Sequence, residues 1–231
     1  MGTLILVRHG QSEWNVANIF TGWTDVNLTK AGQKDARSSG NHLKEFKVDI
    51  AFTSRLKRAQ LTLAGVLESM GQNPPIEKDS ALNERHYGDL QGLDKSETAK
   101  KYGEEQVKIW RRSYDTPPPG GESMADCERR TMPFFMQYVW PYVLEGKTVL
   151  VAAHGNSLRP IRKFLENLSK DEAATIETEF CAPYIYWIED GKVAQKEARE
   201  VAELIVKGGT SAVSKAKSLS HGAHPPRHHP G

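Results

Sequence analysis

The chain has 231 residues and a formal net charge of only +2, enough for one sizeable α/β domain and no basis for general nucleic-acid binding. Its two cysteines, Cys127 and Cys181, lack metal-ligand or Cys-x-x-Cys spacing, which excludes a disulfide framework and points to a reducing, cytoplasmic setting. No apolar run reaches the roughly 18 residues of a membrane span, no signal-peptide pattern opens the chain, and Leu6 stands where a myristoylation motif at Gly2 wants a hydroxyl.

Leu4 to Val7 predict a short, wholly apolar strand that ends on Arg8, His9 and Gly10. A strand meant only for packing would stop on ordinary turn residues; here Gly10 is read as the point where the backbone turns sharply away. The stretch LTKAGQKDARSSGNHLKEF predicts a helix capped by Thr29, with Ala31, Ala36 and Leu43 on its inner side. VDIAFTS predicts a second apolar strand ending in hydroxyls, followed by an amphipathic helix over RLKRAQLTLAGVLESMG that closes at Gly71. PPIEKDSALNE supplies a turn and a third extended segment, residues 94–112 predict one polar helix, and TPPPGGES is a loop.

Helical periodicity runs from Ser123 to Leu144, with Pro133 and Pro141 expected to kink or break it. KTVLVAAHGNS repeats the opening pattern, an apolar strand ending in His154 and Gly155. A helix from about Ser157 follows and tolerates Pro160 in its first turn, where the amides lack intrahelical partners. PYIYWIEDGKV predicts a last strand with a tight Asp-Gly turn.

Strands alternating with helices predict a mainly parallel sheet with helices on both faces, a three-layer α/β/α architecture. Ligands of such sheets bind beyond the carboxyl ends of the strands. Three of those ends carry Arg8-His9-Gly10, Thr53-Ser54 and His154-Gly155-Asn156, so the rim of the sheet bears the chemistry. One catalytic domain is expected over 1–206, followed by a tail, 207–231, that holds four of the eight histidines. Its composition favours a solvated tail over a metal site.

Arg8 decides how His9 is read. An arginine is a poor neighbour for a bound cation and a good one for a phosphate. It also disfavours imidazolium, leaving a neutral ring nitrogen able to attack. With His154 as the counterpart on the second strand, two imidazoles and an arginine face one anion. Phosphoryl transfer fits, because its charge spreads over oxygens that need fixed donors.

RHGQSEWN resembles the signature of the histidine phosphatase superfamily. FTGWTDVNLTKAGQ, TSRLKRAQLTL, LNERHYGDLQGLDKSE, IWRRSYDTPPPGGES and VAAHGNSLRPIRKFL are similar, in order, to blocks of its cofactor-dependent phosphoglycerate mutase family, over about Leu4 to Leu165. The resemblance implies that His9 is phosphorylated during turnover, that Arg8, Arg58 and His154 grip the transferred phosphoryl, and that Glu84 is the acid/base carboxylate. Without it, Glu84 reads as a surface carboxylate paired with Arg85. It further implies that Asn15, Thr21 and Gly22 bind substrate, that Tyr87, Lys95, Arg111 and Arg112 hold its carboxylate and second phosphate, and that Gly155 and Asn156 complete the phosphate cradle. Adjacent arginines on a helix point about 100° apart, so Arg111 and Arg112 reach one ligand only at an edge.

The expected reaction interconverts 3-phosphoglycerate and 2-phosphoglycerate in glycolysis and gluconeogenesis, with 2,3-bisphosphoglycerate as primer and no metal. The expected partners are small phosphorylated three-carbon acids, with no nucleic acid and no membrane; homodimers or homotetramers, and a C-terminal tail over the bound substrate, are implied by the resemblance alone. A phosphatase that passes the same phosphohistidine to water, and a phosphoanion-binding protein without turnover, are the alternatives. One departure stands out: where the family shows a Pro-Thr-Gly-like stretch, this chain has IETEFCAPYIYW. The added carboxylates either weaken anion binding or alter closure of the site, or lie on a solvated turn; the solvated turn is the expectation for Glu177, Glu179 and Cys181, with Cys181 packing rather than reacting.

Overall fold

The computed structural model describes residues 1–201, so the domain boundary expected at 206 and the tail 207–231 lie outside the described residues. Six strands form one mixed sheet: β1 (Gly2–Arg8), β2 (Ile50–Thr53), β3 (Ile76–Lys78), β4 (Thr148–Ala153), β5 (Pro183–Glu189) and β6 (Lys192–Ala198), in the order β3-β2-β4-β1-β5-β6. The pairs β3/β2, β2/β4 and β4/β1 are parallel, whereas β5 runs antiparallel to β1 and β6 antiparallel to β5. The segment 183–193 is thus the greater part of a hairpin turned at Asp190-Gly191, and the sheet is mostly parallel, as expected.

Alternation along the central strands divides the core in two. Leu4, Leu6, Phe52, Val149 and Val151 face one side, while Ile5, Val7, Ala51, Leu150 and Ala152 face the other. Each such Leu, Ile or Val buried completely stabilises the fold by about 1.5–3 kcal/mol before entropy is counted. Helices α2 (Lys30–Asn41) and α3 (Lys57–Met70) pack together; Leu63, Val66 and Leu67 of α3 cover the second face. The first face is covered by Phe135, Val139, Trp140, Leu158 and Ile161. Inside α2 the buried side is Gly32, Asp35, Ala36, Ser39 and Gly40. Ala36 and Leu43 are buried as expected, Leu43 from just beyond the helix end, whereas Ala31 faces solvent and Gly32 takes the inner side.

Prolines and one glycine subdivide the expected long helices. Residues 94–112 form two helices, α4 (Lys95–Tyr102) and α5 (Glu104–Arg112), because Gly103 adopts φ 90°, a conformation that interrupts helical hydrogen bonding. The stretch from Ser123 becomes α6 (Met124–Phe134), a π-helical turn over Phe135–Val139, and α7 (Trp140–Leu144). The amide of Trp140 reaches back to Phe135 O just before Pro141, whose missing N–H ends the regular ladder. Helix α8 (Gly155–Glu166) begins two residues earlier than expected, directly on His154. Two short helices, α1 (Glu13–Val16) and α9 (Lys170–Thr175), carry no apolar stripe long enough to read from sequence. Among the described residues no helix is long and apolar enough to cross a membrane.

Gly10 serves the fold by close approach rather than by an unusual φ. A Cβ built on it would lie 2.5 Å from Gly32 O, so the turn after β1 is pressed against the start of α2. Backbone on both sides cannot yield cheaply. Gly10→Ala is expected to cost about 2–3 kcal/mol, a fall in Tm of about 5–10 °C; a melt within 2 °C of wild type would show the contact to be soft.

Candidate active site

The carboxyl ends of β2, β4 and β1 are neighbours, and their register aligns Arg8 with Ala153 and Thr53 with Ala152. The residues just past those ends therefore meet: His9 and His154 have ring centroids 5.1 Å apart, and Ser54 Oγ lies 2.7 Å from His154 Nε2. His9 is only 3% exposed. Its Nδ1 lies 2.7 Å from Gly10 O, which can only accept, so Nδ1 carries the proton and Nε2 keeps its lone pair. Burial, then the cations Arg58 and Arg8, push the His9 pKa well below the usual histidine value, against a smaller opposing effect of the Gly10 hydrogen bond. Burial and Arg58 do the same to His154.

A cavity of about 190 Å³ opens beside His9. Arg8 and Arg58 line its inner end. Arg58, 1% exposed on the first turn of α3, donates to Gly22 O at 2.7 Å and Thr24 O at 3.1 Å, which fixes the loop that carries Thr21 and Gly22 to the cavity wall. Asn15 sits in a capping box with Ser12; its amide oxygen accepts from Ser12 N and Oγ, so the NH₂ is its group for an anion.

Glu84 stands across from the histidines. One ligand atom each from His9, Glu84 and His154 fall within 4.8 Å of one another. Glu84 Oε1 accepts from the backbone N–H of Arg85 at 2.7 Å and of Asn156 at 3.2 Å, the latter in the first turn of α8. The pairing with the Arg85 side chain read from sequence alone is not formed: that guanidinium donates to Trp110 O, Arg111 O and Tyr87 Oη instead. Burial alone would raise the Tyr87 pKa, but the charge and hydrogen bond of Arg85, with the Asn156 hydrogen bond, bring it below the ordinary tyrosine value.

The outer end is a second group of cations. Lys95, Arg111 and Arg112 line it, with the two arginines on the last turn of α5 where the helix ends at the rim. Burial, then Arg111, lower the Lys95 pKa. Every expected site residue lines this cavity except His154, which is fully buried behind His9. Sequence reasoning missed Arg159 and Thr178, and preferred a solvated turn for Glu177 over the effect on anion binding that its place in the lining allows. Arg159 had a signal: it lies one helical turn after Gly155 and Asn156, and its Nη1 donates to Asn156 Oδ1 at 2.8 Å.

The segment 177–182 is no solvated turn. Arg8 Nη1 donates to Thr178 O at 2.8 Å, Cys181 N donates to Arg8 O at 3.0 Å, and the Arg8 guanidinium lies 4.0 Å from the centre of the Phe180 ring. Phe180 also packs on His9, centroids 5.6 Å apart. Thr178 and Cys181 are buried, and the Glu177 carboxylate pairs with Arg112; only the side chains of Glu177 and Glu179 face water. Cys181 packs with Ala36 and Val201, its thiol pKa raised by burial.

The donor set suits an anion. Arg8 Nε, Arg58 Nε and His154 Nδ1 are buried without a hydrogen-bond partner among the described residues, and all three flank His9. The His9–Glu84–His154 triplet has the composition of a cation site, but two guanidiniums beside it oppose a second positive charge.

Residues 4–200 match the model of the histidine phosphatase superfamily (branch 1). A 2,3-bisphosphoglycerate-dependent phosphoglycerate mutase from Nitrobacter hamburgensis is 57% identical over 197 residues, 84% of this chain and 95% of that protein. One of the same name from a Chelativorans species is 52% identical over 86% of this chain and 98% of its own length. Among solved structures, Bacillus stearothermophilus YhfR superposes with a TM-score of 0.74 at 29% identity, over 83% of this chain and 95% of that one.

The neutral imidazoles make stability depend on pH. In the unfolded chain each histidine protonates near 6.5, whereas the native values lie well below. Below about pH 6.5 the unfolded state therefore binds more protons, and stability that is fully present above that pH is lost as pH falls toward the native values. Each histidine contributes a slope of up to about 1.4 kcal/mol per pH unit. In urea titrations between pH 7 and 5.5, His9→Gln is expected to remove about half of the two histidines' combined slope; an unchanged slope would mean that His9 takes up its proton as readily in the native state as in the unfolded chain.

Proposed function

The chain belongs to the histidine phosphatase superfamily, and from that premise we propose that it interconverts 3-phosphoglycerate and 2-phosphoglycerate through a phosphoryl group carried on His9 and primed by 2,3-bisphosphoglycerate. The observation that carries the reading is the two-ended cleft: a neutral His9 with Arg8 and Arg58 at one end, Lys95, Arg111 and Arg112 at the other. A plain phosphatase needs one phosphate grip and access for water; a substrate with a further anionic group needs the second. The names of the curated relatives support the same reaction.

When bound, 2,3-bisphosphoglycerate supplies the phosphoryl group that loads His9. His9 Nε2 attacks phosphorus, the N–P bond forms and the P–O bond to the departing hydroxyl oxygen breaks. Arg8 and Arg58 supply otherwise unpartnered Nε–H groups for the phosphoryl oxygens, and His154 adds its Nδ1–H in the tautomer whose Nε2 accepts from Ser54 Oγ. Glu84 gives a proton to the departing oxygen and, in the reverse direction, takes one from the hydroxyl that attacks the loaded histidine. Two backbone amides hold that carboxylate in place. Asn15, Thr21, Gly22 and Tyr87 shape the wall, and the outer cations orient the acid so that one hydroxyl at a time faces His9. Turnover without metal and a cytoplasmic setting belong to the same proposal, supported by the guanidiniums beside the triplet and by two buried, unbridged thiols.

The test assays purified protein in chelator with and without 2,3-bisphosphoglycerate. Primer-dependent isomerisation and acid-labile phosphate on His9 are expected; hydrolysis without isomerisation would assign the chain to the phosphatases instead. His9→Ala should lower kcat by at least about a thousandfold and Glu84→Gln by about 10²–10⁴-fold. Arg111→Ala should raise KM by about ten- to a hundredfold with a smaller change in kcat. Undiminished turnover in His9→Ala would overturn the mechanism.

A further inference from the structure

Three successive carbonyls between α9 and β5 are each taken by a different arginine. Arg159 Nε donates to Ile176 O at 3.0 Å, Arg162 Nη1 to Glu177 O at 2.8 Å, and Arg8 Nη1 to Thr178 O at 2.8 Å. Arg159 and Arg162 are themselves buried. The backbone of Glu177 is therefore pinned, and its carboxylate is delivered to the cleft mouth instead of ranging over the surface. There Oε1 lies 2.7 Å from Arg112 Nη1 and 3.8 Å from Arg159 Nη2.

Among the described residues, Glu84 and Glu177 are the two carboxylates that line the cleft. Glu84 is engaged at the inner end in proton transfer; the reaction as derived gives Glu177 nothing to do. Yet it places a negative charge on the cations that meet the far end of an anionic substrate. A phosphoglycerate brings one phosphate and one carboxylate to the cleft, whereas a bisphosphorylated acid brings a second phosphate to the same cations. Repulsion from a fixed carboxylate grows with the charge of the ligand, so Glu177 acts on the difference between the two.

We propose that Glu177 is a specificity-determining residue that limits how much negative charge the outer end of the cleft retains, and so favours the monophosphorylated over the bisphosphorylated acid. This rests on the mutase reading. A site that is loaded by a bisphosphorylated species and then turns over monophosphates works best when the more charged ligand does not outcompete the less charged one. Glu177 supplies that limit without touching His9. Its carboxylate is about half exposed, so the effect is moderate and sensitive to salt.

The experiment measures dissociation constants of 3-phosphoglycerate and 2,3-bisphosphoglycerate by calorimetry on the full chain, in a His9→Gln background that prevents transfer. At low ionic strength Glu177→Gln is expected to tighten the monophosphate about threefold and the bisphosphate about tenfold. The gap between the two should close in high salt, and Glu177→Asp should keep the wild-type ratio. An unchanged affinity ratio in Glu177→Gln, or weaker binding of both ligands, would overturn the proposal. The isomerase assay of the unmodified chain separates the two readings: its failure removes both, whereas an unchanged ratio beside normal isomerisation removes only the role of Glu177.

Discussion

A neutral imidazole held among buried guanidiniums is the constraint on which the rest of this structure turns. Arg8 and Arg58 flank His9; His9 and Arg58 are almost wholly removed from water and Arg8 is partly so. Protonating His9 would add a third positive charge to a region of low dielectric, so the ring stays neutral and the hydrogen bond to Gly10 O selects the tautomer. Burial works on the arginines too, and lowers the pKa of Arg58 to about 10, still charged at neutral pH. The site is thus cationic through groups that cannot easily discharge, around one that does not charge.

What keeps such a cluster folded is the kind of partner each arginine has. Arg58 is held by Gly22 O and Thr24 O, Arg8 by Thr178 O, Arg85 by Trp110 O and Arg111 O. Carbonyls satisfy the donors and fix the geometry without cancelling the charge. Away from the cleft the pattern reverses: Arg130 pairs with Glu122 and Arg162 with Glu166. Phe180 extends the same principle, since an aromatic face attracts the Arg8 guanidinium while leaving its net charge intact. Positive charge is conserved at the inner end of the cleft and neutralised where it only holds elements together; the outer end stands between the two, with Arg112 paired to Glu177.

The strand ends were legible because alternation and apolar runs are local properties, and the parallel order of the central strands brings Arg8, His9, Ser54 and His154 together without further information. The motif resemblance located nearly all of the cleft. What escaped depends on contacts between residues distant in sequence. Arg8 and Thr178 are 170 positions apart, and nothing in the composition of IETEFC shows that buried arginines will seize its carbonyls. Read alone, a stretch with two glutamates and a hydroxyl is a solvated turn. Gly103 was overlooked for a different reason: a single glycine inside a polar helical pattern carries no mark of the φ it will adopt.

The segment from Glu84 to Tyr87 joins the two ends of the cleft. Glu84 fastens to the amide of Asn156 at the start of α8, its neighbour Arg85 clamps the last carbonyls of α5, and Tyr87 hydrogen-bonds with both Arg85 and Asn156. Helix α5 has one fully buried residue, Val107, with Trp110 partly buried beside it, so the grip of Arg85 on its last carbonyls adds to a small apolar contact. The helix that presents Arg111 and Arg112 is therefore positioned from the same short stretch that carries the acid/base carboxylate. A rigid link of this kind matters because a reaction that transfers a phosphoryl between two hydroxyls of one small acid must fix the distance between proton donor and anion grip to a fraction of an ångström. Four consecutive residues, locked by backbone amides and carbonyls, set that distance more reliably than side chains from separate loops would.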